Sequence, residues 1–242
     1  MSSTSETGHA KNLANFKILI KTCSSYAAYN PSRASILLPQ LNAQYATCTT
    51  DLENVKAAKA VSDVAGNTRK QAFKGNKKFA TRIINALAAC DVKDEIVADA
   101  RTIVRKIQGL RSPKQEPPKP GETPGPGKSS SQQSFDLVID HYQKLWKLLN
   151  VEPAYVPNER ELSSGDIQNF IAAMQNSVDG VTTTDVDLNK ARFTRDNSFY
   201  KPDLGMVDNA IAVKKYMLSV LGTSSAEYKK IKAIAFRNIN NR

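Results

Sequence analysis

The chain has 242 residues, 40% hydrophobic and 24% charged, with 34 Lys and Arg against 23 Asp and Glu. That composition is expected of a soluble globular protein with one or two domains, each able to bury a core without disulfides or metal. No stretch approaches 18 consecutive apolar residues, which excludes a membrane-spanning helix, and the opening MSSTSETGHA lacks a leader-like basic and apolar pattern.

Residues 1–10 are polar and read as a flexible tail. From Leu13 the apolar residues Leu13, Phe16, Ile20 and Cys23 recur at spacings of three and four, the rhythm of an amphipathic helix. It stops before Tyr29-x-Pro31, since the residue preceding a proline avoids the α region. A longer stripe follows through Leu38, Leu41, Tyr45, Cys48, Leu52 and Val55, a helix of six or seven turns with Pro39 tolerable in its first turn. Gly66 is placed to end or bend it. A third segment from about Lys77 to Cys90 and a fourth from Asp91 to Gly109 complete the first half, 11–112.

Residues 113–134 hold six of the eleven prolines and no aliphatic or aromatic side chain, so they cannot enter a core and read as a linker. As a mixture of polyproline II and coil, it spans between about 25 and 70 Å.

The second half, 135–242, repeats the first. A shift of 126 lays Leu13 to Phe73 on Ile139 to Phe199 without a gap, with Tyr-x-Pro and Thr-Arg-x-x-x-Phe at the same separation in both copies. The stripe Ile139, Tyr142, Trp146, Leu149 matches the first helix, and Ile167, Phe170, Met174, Val178, Val181 the second, with Ser164 as its N-cap. A third segment runs from Val207 to Leu221 and closes at Gly222. The fourth starts at Ser224, where Ser224 and Glu227 have capping-box spacing, and runs through Tyr228, Ile231 and Ala235. The expected fold is all-α: a tandem duplication of an antiparallel four-helix bundle joined by a Pro-rich linker.

The chain offers few groups for catalysis. His9 and His141 read as solvated or boundary residues, and no phosphate-binding glycine loop or zinc motif is present. Cys23, Cys48 and Cys90 sit on apolar stripes and read as buried thiols of the first core in a reducing compartment. The acidic run Asp179, Asp185, Asp187, Asp196 lacks the glycine and glutamate of a calcium loop and reads as a solvated helix end. Phe73 and Phe199 are expected core anchors, with Arg69 and Arg195 bonded to a carboxylate or to helix-end carbonyls. Trp146 is assigned to the core. No catalytic residue, cofactor, metal or small-molecule substrate is assigned.

Charge is unevenly placed along the chain. Basic residues number 17 against 8 acidic in 1–112, and 14 against 13 in 135–242. The excess gathers at Arg69, Lys70, Lys74, Lys77, Lys78 and Arg82, and again at Arg101, Arg105, Lys106 and Arg111. A localised basic surface binds phosphate backbones by releasing counterions, and it also serves simply as a solubilising exterior. Lys70, Lys74, Lys77, Lys78, Arg82, Arg101 and Arg105 are therefore the candidate anion or nucleic-acid contacts.

The block NKKFATRIINALAACDVKDEIVADARTIVRKIQG (76–109) resembles the C-terminal part of uncharacterised all-helical proteins of Bacteroidota-type bacteria. That resemblance implies an intracellular bacterial helical module and transfers no functional residue. The function expected from the sequence is a non-enzymatic cytoplasmic interaction or structural protein, with a protein partner or self-association. Nucleic-acid binding through the basic first half is the alternative.

Overall fold

A computed structural model describes residues 4–110 and 133–239, and among them the chain is all-α. The first helix, α1 (Thr4–Ser24), buries the whole stripe Leu13, Phe16, Ile20 and Cys23, with Leu19 beside it. It begins inside the expected tail 1–10. The reason is His9, a buried residue whose Nδ1 lies 2.6 Å from the Tyr200 hydroxyl and whose ring meets Phe199 edge-on. A long-range contact that no local pattern reveals orders this segment.

The Tyr-x-Pro turns have a physical role. The Tyr29 hydroxyl donates to the Ile36 carbonyl at 2.5 Å, and the Tyr155 hydroxyl to the Leu162 carbonyl at 2.6 Å. Each bond folds the chain back over a short 3₁₀ turn, Ala34–Ile36 or Arg160–Leu162, that leads into a long helix. These are α2 (Leu38–Ala72) and α6 (Ser164–Tyr200), each of about ten turns at 3.6 residues per turn. The six or seven turns expected from the apolar stripe fall short, because α2 continues unbroken through Gly66. A Cβ there would meet nothing, so an exposed glycine costs only propensity, about 1 kcal/mol, against an otherwise continuous hydrogen-bond ladder.

The remaining helices are α3 (Asn76–Ala89), α4 (Asp94–Gln108), α5 (Phe135–Val151), α7 (Met206–Leu221) and α8 (Ala226–Ala233). Gly109 ends α4 in the left-handed region at φ 73°, where its amide bonds the Arg105 and Lys106 carbonyls, and Gly222 closes α7 at φ 77°. Two caps differ by one residue from expectation. Ser163, not Ser164, receives the Asp166 amide at 3.2 Å, and Ser225, not Ser224, receives the Tyr228 amide at 2.9 Å. In both pairs the cap is the residue whose extended backbone aims its hydroxyl at the first helical amides. The fourth segment of the second half also stops early: α8 ends at Ala233, and 234–239 is non-helical.

The chain divides into two compact units. One comprises 1–63 with 184–242, the other 64–183. These do not follow the expected domains 11–112 and 135–242, whose boundaries fall inside the second unit; the segment 111–132 lies outside the described residues. Each unit gathers helical segments from both halves of the sequence instead of four helices from one half. In the first unit Phe16, Leu19 and Leu41 share a core with Phe199, Met206 and Met217. In the second, Ile83, Leu87 and Ile107 share a core with Tyr142, Leu145 and Ile167. Phe199 is an anchor, as expected; Phe73 is half-buried, its ring 4.7 Å from that of Phe135. Trp146 packs half-buried on the second core and its indole N–H donates to the Ser164 carbonyl at 3.0 Å.

The cysteines do not share one core. Cys23 and Cys48 are buried in the first unit, where burial pushes each thiol up to about 12, and Cys90 is half-buried in the second. A thiol reagent at pH 8 should therefore label one cysteine, Cys90, in the native chain and all three after denaturation, resolved by peptide mass. Native labelling of Cys23 or Cys48 at the rate of Cys90 contradicts this packing.

Candidate functional site

All seven candidate basic residues lie in the second unit and are exposed. Lys70 is in the last turn of α2 and Lys74 just beyond it; Lys77, Lys78 and Arg82 lie on α3; Arg101 and Arg105 lie one turn apart on α4. Their surroundings separate them. Lys77 donates to the Gln108 carbonyl at 2.9 Å, closing the free end of α4, and Arg82 is ion-paired with Glu161. Glu161 holds the Arg82 charge, and Arg82 in turn keeps the Glu161 carboxyl below its usual range. Arg105 stands in the last turn of α4, where a cation complements the helix dipole. Lys70, Lys74, Lys78 and Arg101 make no ion pair with a described residue. These four are the members of the candidate set with no such engagement among the described residues.

The uneven charge of the sequence halves does not carry over to the compact units. The segments 1–63 and 184–242 together hold 17 basic and 10 acidic residues, and 64–183 holds 17 and 13. Exchange of segments between the halves redistributes the excess, so neither unit is nearly neutral.

The other expectations resolve by residue. Asp179, Asp185, Asp187 and Asp196 lie in the interior of α6 rather than at a helix end. Asp185 accepts from the Ser62 hydroxyl at 2.8 Å, Asp187 lies 3.6 Å from Lys190, and Asp196 pairs with Arg195 at 2.7 Å. Arg195 thus bonds a carboxylate, as expected, and is itself buried. Arg69 instead lays its guanidinium over the Phe135 ring, 4.3 Å from the centroid. Among the described residues no group of three or more His, Cys, Asp or Glu is placed to hold a metal ion.

Polar groups missed by sequence reasoning are buried in both units. In the first, Asn12 clamps one residue of the segment after α8: its Nδ2 donates to the Arg237 carbonyl at 2.7 Å and its Oδ1 accepts from the Arg237 amide at 3.1 Å. Asn15 donates to the Ala235 carbonyl at 2.7 Å, and Lys214 lies over the Phe236 ring. These backbone groups are available because α8 has already ended. In the second unit His141 stands 126 residues after Asn15, only 4% exposed, and neither ring nitrogen has a hydrogen-bond partner. The facing helix α4 continues to Gln108, and its carbonyls are taken by its own ladder or, at its end, by Lys77 and Gln133. The Asp140 carboxylate lies 3.8 Å from His141 Nδ1 but is held by Lys144 at 2.5 Å. Both histidines are thus buried, not solvated or at the boundary. The signal available in the sequence was the alignment of Asn15 with His141, two hydrogen-bonding side chains beside the apolar stripe.

A cleft of about 400 Å³ opens on the second unit, lined by Arg82, Asn85, Cys90, Val156, Asn158 and Glu159 among others. Its one cation among the described residues, Arg82, is ion-paired with Glu161. Comparison with known protein families, curated proteins and solved structures finds no match for this chain.

Burial holds the His141 pKa below its ordinary 6.5, with Lys106 and Lys144 opposing protonation and Asp140 favouring it. The unfolded chain takes up this proton more readily, so His141 lowers stability as pH falls through about 6.5 and costs no protonation energy above it. His141→Leu should raise the urea midpoint at pH 7.5 by the equivalent of about 1–3 kcal/mol, since it removes two unsatisfied buried atoms. It should also flatten the decline in stability between pH 7.5 and 5.5. A variant less stable than the parent at both pH values contradicts the orphaned-imidazole assignment.

Proposed function

We propose that this chain is a non-enzymatic helical interaction or structural protein that engages a macromolecular partner, a second copy included, through its long helices. The observation that carries this is a stripe of unburied apolar side chains in the first unit. On α6, Phe193 is 69% exposed and Val186, one heptad before it, is 48% exposed. Their helix face carries no buried cover at these two positions. A solvent-facing aromatic with a valine one heptad before it on the same helix face is the kind of surface that helix-face partners cover. No helix among the described residues is long and apolar enough to cross a membrane.

We further read the two halves as copies of one duplicated unit. What supports this is the shift of 126, shared by the tyrosine-to-carbonyl bonds at Ile36 and Leu162, by the 3₁₀ turns and by the starts of α2 and α6. The cytoplasmic and bacterial assignments rest on cysteine usage and on the resemblance of 76–109. Full-length protein should show a concentration-dependent mass in sedimentation equilibrium, and Phe193→Glu with Val186→Glu should restore the monomer without loss of helicity. A parent that stays monomeric at every concentration, and cross-links no cellular protein through Phe193 replaced by a photoreactive residue, removes the basis of this reading.

Nucleic-acid binding is the second reading, favoured by Lys70, Lys74, Lys78 and Arg101 standing exposed on one unit with no ion pair to a described residue. Log affinity for duplex DNA should fall linearly with log salt at about 0.9 per phosphate contact, irrespective of base sequence. Lys74→Glu with Lys78→Glu should weaken every duplex alike and flatten the slope. Absence of any retardation at about 50 mM salt, where screening is least, rejects this reading.

A further inference from the structure

Neither half of the sequence owns a core. Of the buried residues in the first unit's core, nine come from 13–52 and eight from 199–231. In the second, eight come from 80–107 and ten from 138–174. We propose that residues 4–110 and 133–239 are obligatory partners whose association is a protein–protein interaction in its own right, holding without the covalent connection between them. Each half is the ligand for which the other's apolar faces are shaped.

Polar groups across these faces are matched as at a specific interface. In the first unit Gln44 donates to the Leu204 carbonyl at 2.8 Å and accepts from Asn209 at 2.9 Å, while Asn209 accepts from Ser35 at 3.1 Å. Tyr216 accepts from the Asn30 amide at 2.9 Å. In the second, Tyr142 donates to the Asn76 carbonyl at 2.5 Å, Phe79 meets Phe170 edge-on at 4.8 Å, and Arg82 pairs with Glu161. Every one of these pairs joins the first half to the second. Removing either half would strand the buried polar groups of His9, Asn12 and Tyr200 and expose both cores, the mark of an obligate interface that resembles a domain core cut in two.

The connection is not needed to set the geometry. Gln133, the first described residue after it, donates to the Lys106 carbonyl at 2.8 Å. The fold thus holds the two ends of the connection together at the end of α4. What the covalent link adds is effective concentration.

The test keeps the full chain and inserts a specific protease site between Pro120 and Gly121, cut after folding. The expected product elutes natively at the mass of the uncut chain with both fragments in equal amounts and unchanged far-UV circular dichroism. Its thermal midpoint should fall on dilution, which that of the uncut chain should not, because unfolding has become dissociative. Separation of the two fragments on the native column, folded or unfolded, overturns the proposal. So does a midpoint of the cut protein that is independent of concentration over a hundredfold range.

Discussion

The length of α2 and α6 is the constraint on which the rest of this molecule depends. An α-helix satisfies its own backbone and advances about 1.5 Å per residue, so a helix of 35 or 37 residues runs about 50 Å without turning. Leu41, Cys48 and Leu52 of α2 lie in one core, yet the helix carries on past Gly66 to deliver Phe73 to the other. Helix α6 does the reverse, with Ile167, Ile171 and Met174 in the second core and Phe199 and Tyr200 in the first. Each half therefore places buried residues in both cores.

The units meet the same packing problem with different polar solutions. After Ala233 the chain leaves the helix, and Asn12 and Asn15 take up the backbone groups this frees. A side-chain amide that replaces a helical hydrogen bond with one of its own leaves no deficit. Where α4 stays helical no such group is released, and His141 is buried unpaired. The second unit thus carries a cost that the first avoids, and that cost depends on pH.

The exchange of segments decides which charged and apolar groups stay exposed. The basic excess belongs to the first half of the sequence, yet the folded units share it, and several of its members are spent on intramolecular work. Lys77 caps α4, Arg82 binds Glu161, and Arg69 stacks on Phe135. Among the described residues Lys70, Lys74, Lys78 and Arg101 form no ion pair, and Phe193 with Val186 stays exposed. They lie in different units, so the two surfaces are separable by mutation.

The helices themselves were legible in the residue order, because the stripes at three and four residue spacing, the caps at Gly109 and Gly222 and the Tyr-x-Pro turns are local chemistry. So were the burial of Cys23 and Cys48, the anchoring role of Phe199 and the carboxylate partner of Arg195. Which helices pack together was not legible. A stripe states that a face is buried, but not whether its cover comes from 20 residues away or from 190, and His9 with Tyr200, or Asn12 with Arg237, joins residues that no spacing relates. The boundary at the proline-rich segment was inferred from where no core residue can lie. A gap in apolar content marks only where the chain is not buried, and the pairing of the two halves was decided by the reach of α2 and α6, whose unbroken hydrogen-bond ladders carry each half into both cores.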